Sequence, residues 1–242
     1  MGGRRVLGAL AAAHLASGLV TTAARADTRI IDTPTAEPLG HGSVRWEVGV
    51  GPEGNLLSGI GVGVIDRLQF GISYGMQEIL GEGSIDTNPR PGIQAQVLLL
   101  DELGKPALAL GFDSQGRGHW LGEEERYERK SLGFYAVSTY SLLAGSWWLT
   151  SLAGGANFSL EGGREAFDVF AGVSQGIGPH FAFLLDYDFG IDDRSDQDRG
   201  YLDLGLQWAF GSGNHLRFLF RDLLENGGGI GRELNFYYLF GI

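Results

Sequence analysis

Between residues 68 and 77, apolar and polar positions alternate without a break. Leu68, Phe70, Ile72, Tyr74 and Met76 stand against Gln69, Gly71, Ser73, Gly75 and Gln77. A strand sends successive side chains to opposite faces, so this decapeptide has one greasy face and one wet face. Its length matches the roughly 9–11 residues that a tilted strand needs to cross a bilayer. The pattern recurs from residue 43 to the last residue. Phe181, Phe183, Leu185, Tyr187 and Phe189 alternate with Ala182, Leu184, Asp186, Asp188 and Gly190, and Leu234, Phe236, Tyr238 and Phe240 close the chain. Repeated behind an export signal, such strands predict an all-β fold, a transmembrane antiparallel up-and-down β-barrel with lipid outside and polar side chains inside.

The export signal is read at residues 1–26. Arg4 and Arg5 supply the positive end, Val6 to Val20 is mostly apolar and small, and Ala24-Arg25-Ala26 is an A-x-A cleavage site. Residues 27–42 then read as a short periplasmic N-terminal segment, and 43–242 as the barrel. About twelve strands are predicted, near 43–51, 56–66, 68–77, 91–101, 107–116, 130–142, 146–158, 166–176, 181–191, 200–210, 215–223 and 232–242. The connections support the count. Those at 66–67, 102–105, 143–145, 177–180 and 211–214 are short, as periplasmic turns are. Those around 78–90, 117–129, 159–165, 192–199 and 224–231 are longer or more charged, as surface loops are.

Composition removes several function classes. Losing Arg4, Arg5 and Arg25 with the signal takes the net charge from −11 to −14. Nucleic acid is therefore excluded as a partner, because its binders need basic patches to neutralise phosphates. With no cysteine, the chain has no disulfide, thiolate or lipidated cysteine. The 41 glycines follow no collagen period and suit a tightly curved, tightly turned wall.

Little in the chain points to catalysis. His41, His119, His180 and His215 fall in predicted turns and loops, none mid-strand opposite a suitable serine, so no catalytic residue is assigned. No metal or cofactor motif appears; Asp196, Asp198 and Gly200 echo part of a calcium loop without its distal glutamate. Glu123, Glu124 and Glu125 with Arg126, Arg129 and Lys130 read as a solvated loop. The chemistry that remains is in the lumen. Strand parity points Gln94, Gln96, Asp113, Gln115, Asp186, Asp188, Asp203, Gln207, Arg217, Arg221 and Glu233 inward, with Gly59, Gly61, Gly63, Gly71 and Gly75 making a smooth wall beside them. Amides and carboxylates of this kind either hydrogen-bond one another in a closed interior or meet the hydroxyls of a neutral sugar. Arg221 and Glu233 lie near the outer ends of adjacent strands with Asp203 on the other flank, so Arg221 is expected to be paired there.

Several stretches resemble the YjbH-like family of bacterial outer-membrane proteins, linked to exopolysaccharide production and export. They are Ile31-Asp32-Thr33-Pro34-Thr35-Ala36-Glu37 followed by Gly42-Ser43, then Gly61-Val62-Gly63-Val64-Ile65-Asp66-Arg67-Leu68, and Pro106 to Gly116 with its Asp113-Ser114-Gln115. The run from Leu234 to Ile242 is similar to the aromatic last strand read by the outer-membrane assembly machinery, with the usual final Phe displaced to Phe240. The resemblance implies a single-barrel, non-enzymatic protein of the Gram-negative outer membrane that supports export or assembly of an exopolysaccharide. Its expected partners are lipid and lipopolysaccharide, the assembly machinery, and polysaccharide or its export proteins. The residues leave open a second reading, a narrow porin-like diffusion channel for small solutes.

Overall fold

The computed structural model describes residues 27–80, 85–101, 104–144, 148–193, 199–226 and 229–242. The signal sequence read at 1–26 and most of the 192–199 loop, with Asp196 and Asp198, lie outside them.

Twelve strands close into one antiparallel barrel. They are β1 (Ser43–Val50), β2 (Leu56–Ile65), β3 (Leu68–Gln77), β4 (Gly92–Leu100), β5 (Ala107–Asp113), β6 (Gly133–Ala144), β7 (Trp148–Phe158), β8 (Phe167–Ile177), β9 (Phe181–Asp188), β10 (Tyr201–Phe210), β11 (Asn214–Arg221) and β12 (Gly231–Gly241). Each pairs with its neighbours in chain order. The register Ser43↔Gly241 to Val50↔Leu234 joins β1 to β12 and leaves the wall without an edge. A two-residue strand, Asp86–Thr87, leans on the end of β3.

Strand parity explains the outer surface. Phe70, Ile72, Phe134, Phe183, Leu204, Leu206 and Phe218 are all exposed large apolar side chains. In water so much contiguous apolar area would drive aggregation; around a barrel it is the face that lipid covers. The residues between them in sequence are buried, Asp186 and Asp203 almost completely.

Two strands end three residues earlier than the alternation predicts. β5 stops at Asp113 rather than 116, because the chain leaves the wall there and folds into a small hairpin, Arg117–Leu121 against Arg126–Arg129. β9 stops at Asp188 rather than 191, where Gly190 turns the chain with a φ of 58°. Apart from the five-residue connection at 51–55, which lies with the long ones, short connections lie at one rim of the barrel and long ones at the other.

Residues 27–39, expected in the periplasm, instead fill the lumen. They form a tight hairpin, with Ile30 N–H donating to the Thr33 carbonyl and Thr35 N–H to that of Thr28, both at 2.9 Å. Ile30, Ile31 and Ala36 join the buried core with Ala109, Val137, Phe170, Ala182, Leu184 and Leu219. Burying a residue such as isoleucine is worth about 1.5–3 kcal/mol, which favours docking over leaving this segment in water. Both ends of the hairpin lie toward the short-turn rim. Asp27 meets Gln207 and Arg217, Leu39 N–H donates to Gln69 at 2.8 Å, and Gly42 N–H donates to the Gly63 carbonyl. The tip, at Asp32, reaches toward the long-loop rim.

Candidate functional site

The plug tip is gripped from both sides. On the wall, one oxygen of Asp186 accepts the backbone N–H groups of Ile31, Asp32 and Thr33 at 3.2, 2.5 and 2.7 Å. Successive N–H groups converging on one carboxylate form a small anion-binding nest. The Asp32 carboxylate is itself surrounded by guanidinium groups, with Arg117 at 2.6 Å, Arg221 at 2.8 Å and Arg129 at 3.3 Å. Arg221 belongs to the wall, whereas Arg117 and Arg129 come from the hairpin in the long β5–β6 connection. Asp32 therefore links the plug to both.

Around this latch most of the inward residues are tied to one another or to the plug. Arg221 also binds Glu233 at 2.8 Å and Asp203 at 3.1 Å, the two partners that parity places beside it. Arg129 binds Asp203 at 2.9 Å and Asp188 at 3.1 Å. Asp113 pairs with Arg29 of the plug and accepts the Gln115 N–H at 2.9 Å; Gln115 in turn accepts from the Ser73 hydroxyl. Gln96 donates to the Thr35 carbonyl of the plug at 2.9 Å and accepts from the Tyr135 hydroxyl. Gln94 faces the space beside Gly71. Toward the other rim, Arg217 bridges Gln207 at 2.6 Å and Asp27 at 2.7 Å, and Asp27 also accepts from Tyr237.

Sequence patterns missed three parts of this site. Asp27, Arg29 and Asp32 lie outside any alternating strand, so parity said nothing of them; only the proline-centred run at 31–37 marks the segment. Arg129 and Lys130, read as part of a solvated loop, turn inward. Lys130 is buried and donates to the carbonyls of Arg164 and Asp192, at 2.9 and 3.1 Å. Their targets, Asp188, Asp203 and the carbonyls, are distant in sequence, which is why the loop looked solvated. His215, read as a turn histidine, is 2% exposed and stacks on Tyr237 with ring centroids 4.3 Å apart. Tyr237 also carries Arg45 and Arg217 over its ring, at 4.3 and 4.8 Å. His41 and His180 are exposed, as expected. No cluster of metal-ligating side chains occurs among the described residues.

In the long-loop region outside the strands, Arg126 pairs with Asp193. Burial, and then the neighbouring Asp193 charge, push the Asp192 carboxyl up to about 7.

Fold and site together define a closed, plugged barrel of the outer-membrane type. The Acinetobacter baumannii outer membrane protein Omp33 matches over 82% of this chain and 97% of its own, with 8% identity and a TM-score of 0.50. The COG4313 outer membrane channel from Pseudomonas putida F1 matches over 85% of this chain and 98% of its own, with 14% identity and a TM-score of 0.48. The KdgM porin, also solved in complex with disordered oligogalacturonate, matches over 83% of this chain and 99% of its own, with 7% identity and a TM-score of 0.48. At these identities the likeness is one of fold. No protein-family model matches the chain, and no curated protein matches its sequence significantly.

Proposed function

We propose that this protein is a non-enzymatic outer-membrane barrel of the channel class, its lumen occupied at rest by its own N-terminal hairpin. The single observation that supports this most is the latch at Asp32. A segment that only filled space would need apolar packing alone, yet this one carries its carboxylate to three arginines from two different elements. Both ends of the hairpin lie toward the short-turn rim, so it can withdraw toward the periplasm without disturbing the wall. A constitutively open diffusion pore fits less well, because residues 27–39 occupy its lumen. The apolar belt would meet membrane lipid and lipopolysaccharide, and the aromatic last strand would meet the assembly machinery.

Planar-bilayer conductance tests this reading. The mature chain and a variant lacking residues 27–39 should both run faster on gels when unboiled, as folded barrels do. The deletion variant should conduct several-fold more. A folded deletion variant that conducts no more than the intact chain overturns the reading.

A second reading, support of exopolysaccharide export, draws on one spatial fact. Ile31 to Glu37 and Asp113 to Gln115, distant stretches that carry the YjbH-like resemblance, come together inside the barrel, where Asp32, Thr33, Asp113 and Gln115 line one cavity. Loss of secreted polysaccharide on gene deletion, restored by the intact gene, would favour it; unchanged secretion would dismiss it.

A further inference from the structure

We propose that water and small anions cross the closed barrel beside the plug, from the glycine face of β2 and β3 to the space beneath the β5–β6 connection, with the Arg29–Asp113 pair as the constriction. This rests on the channel reading above but concerns the barrel with its plug in place.

Two polar cavities lie against the plug. The first, of about 40 Å³, is lined among others by Arg29, Arg45, Glu47, Gly59, Gly71 and Gln94. The second, of about 30 Å³ and nearer the long-loop rim, includes Arg29, Asp32, Asp113, Arg117, Lys130 and Asp188. A single water needs roughly 10–15 Å³ measured in this way, so each cavity has room for more than one. Arg29 lines both cavities, and its guanidinium is held by Asp113 between them.

The first cavity exists because the wall there lacks side chains. A Cβ built on Gly59 would lie 3.4 Å from the Ile72 carbonyl oxygen and 3.5 Å from Glu47, ordinary contact rather than a clash. Glycine at this position is therefore not forced by close packing. Arg45, 5% exposed, lines the same space, and its Nε has no hydrogen-bond partner among the described residues. A buried guanidinium N–H pointing nowhere in the protein calls for water.

Charge sets the preference. Arg29, Arg45, Arg117, Arg129 and Lys130 line the two cavities against Glu47, Asp32, Asp113 and Asp188, a local cationic excess in a chain whose net charge is −11. Cationic rings favour anions in a pore, and these dimensions admit only small ones such as chloride.

The test is single-channel recording of the intact mature chain in a potassium chloride gradient, with unboiled gel migration to verify folding of every variant. A small steady conductance with an anion-selective reversal potential is expected. Asp113→Asn should raise it several-fold by releasing Arg29, and Arg29→Gln should do the same if Asp113→Asn fails to fold. Gly59→Val, which fills the first cavity, should lower it toward that of bare lipid. An insulating intact chain, cation selectivity, or no response to Gly59→Val overturns the path. If the intact chain insulates while the 27–39 deletion conducts, the path falls and the plug reading stands. If the intact chain conducts and the deletion adds nothing, the plug reading falls and the path stands.

Discussion

Along β5 to β11 the inner wall offers the plug Ala109, Val137, Phe170, Ala182, Leu184 and Leu219, and Ile30 and Ile31 are buried among them. Along β1 to β3 it offers Arg45, Glu47, Gly59, Gly61, Gln69 and Gly71, and no residue of those strands joins the core cluster. The two sides do different physical work. Apolar complementarity on the first excludes water and sets where the plug sits. On the second, charged and amide groups need partners that the plug only partly supplies, so the seam has both room and need for water. One hairpin is thus sealed on one side and wet on the other.

The largest test of this contrast is at the latch. Arg221→Ala strips Glu233 of its arginine and removes one of the guanidinium groups on Asp203 and on Asp32. Breaking a buried ion pair in this way costs about 3–5 kcal/mol. Denaturant unfolding in detergent should show that loss, and Arg221→Ala/Glu233→Ala should recover part of it. A single variant as stable as the parent would mean the wet seam extends to the long-loop rim, where exposed pairs contribute about 1 kcal/mol or less.

Adding one methyl group on each side gives the next largest effect. A Cβ at Gly172 would press on Asp186 and lie 3.0 Å from Ile30 and 3.2 Å from Thr33, so Gly172→Ala should destabilise by about 1–3 kcal/mol. At Gly59 the same methyl has room. There the loss of glycine's freedom in the unfolded chain should leave stability unchanged or raise it by about 0.4–1 kcal/mol. Equal costs at the two positions would erase the distinction between sealed and wet sides.

A pH-dependent effect belongs to the rim beyond both. Because the Asp192 carboxyl titrates near 7 in the fold and near 3.8 when unperturbed, the folded state holds the extra proton between those values. Its contribution to stability is present in full below about pH 4. It is lost as the pH rises toward 7, because the folded state binds more protons than the unfolded one in that interval. Asp192→Asn should flatten that part of the pH profile of thermal unfolding, and a profile identical to the parent's would show that the group does not report on this loop.

Alternation made most of the wall legible. It placed all twelve strands, put Phe183 and Leu204 outside and Asp186 and Asp203 inside, and set Arg221 beside Glu233. What it could not reach were contacts made by segments without a period. Asp32 sits 189 residues from Arg221 and has no strand to assign it a face. Arg129 looks like one more charge in an acidic loop until Asp188 and Asp203 are known to line the space below it. Glu123, Glu124 and Glu125 dominate the appearance of that loop, yet the inward-turning arginines carry its structural role. A run with isoleucine, proline and alanine ahead of the first strand was a weak sign that 27–39 is not solvent-borne, and the tight Ile30–Thr33 turn gives that sign its meaning.

The position of both hairpin stems at one rim also governs how the molecule can be assembled. No part of the chain has to be threaded through a closed ring, because the hairpin enters tip first and folds back on itself. Joining β1 to β12 is the longest-range pairing in the wall and brings together the two ends of the barrel sequence. It can therefore be completed around an empty lumen, with the N-terminal residues, made first on the ribosome, docking last. The order of synthesis and the order of burial can then run in opposite directions.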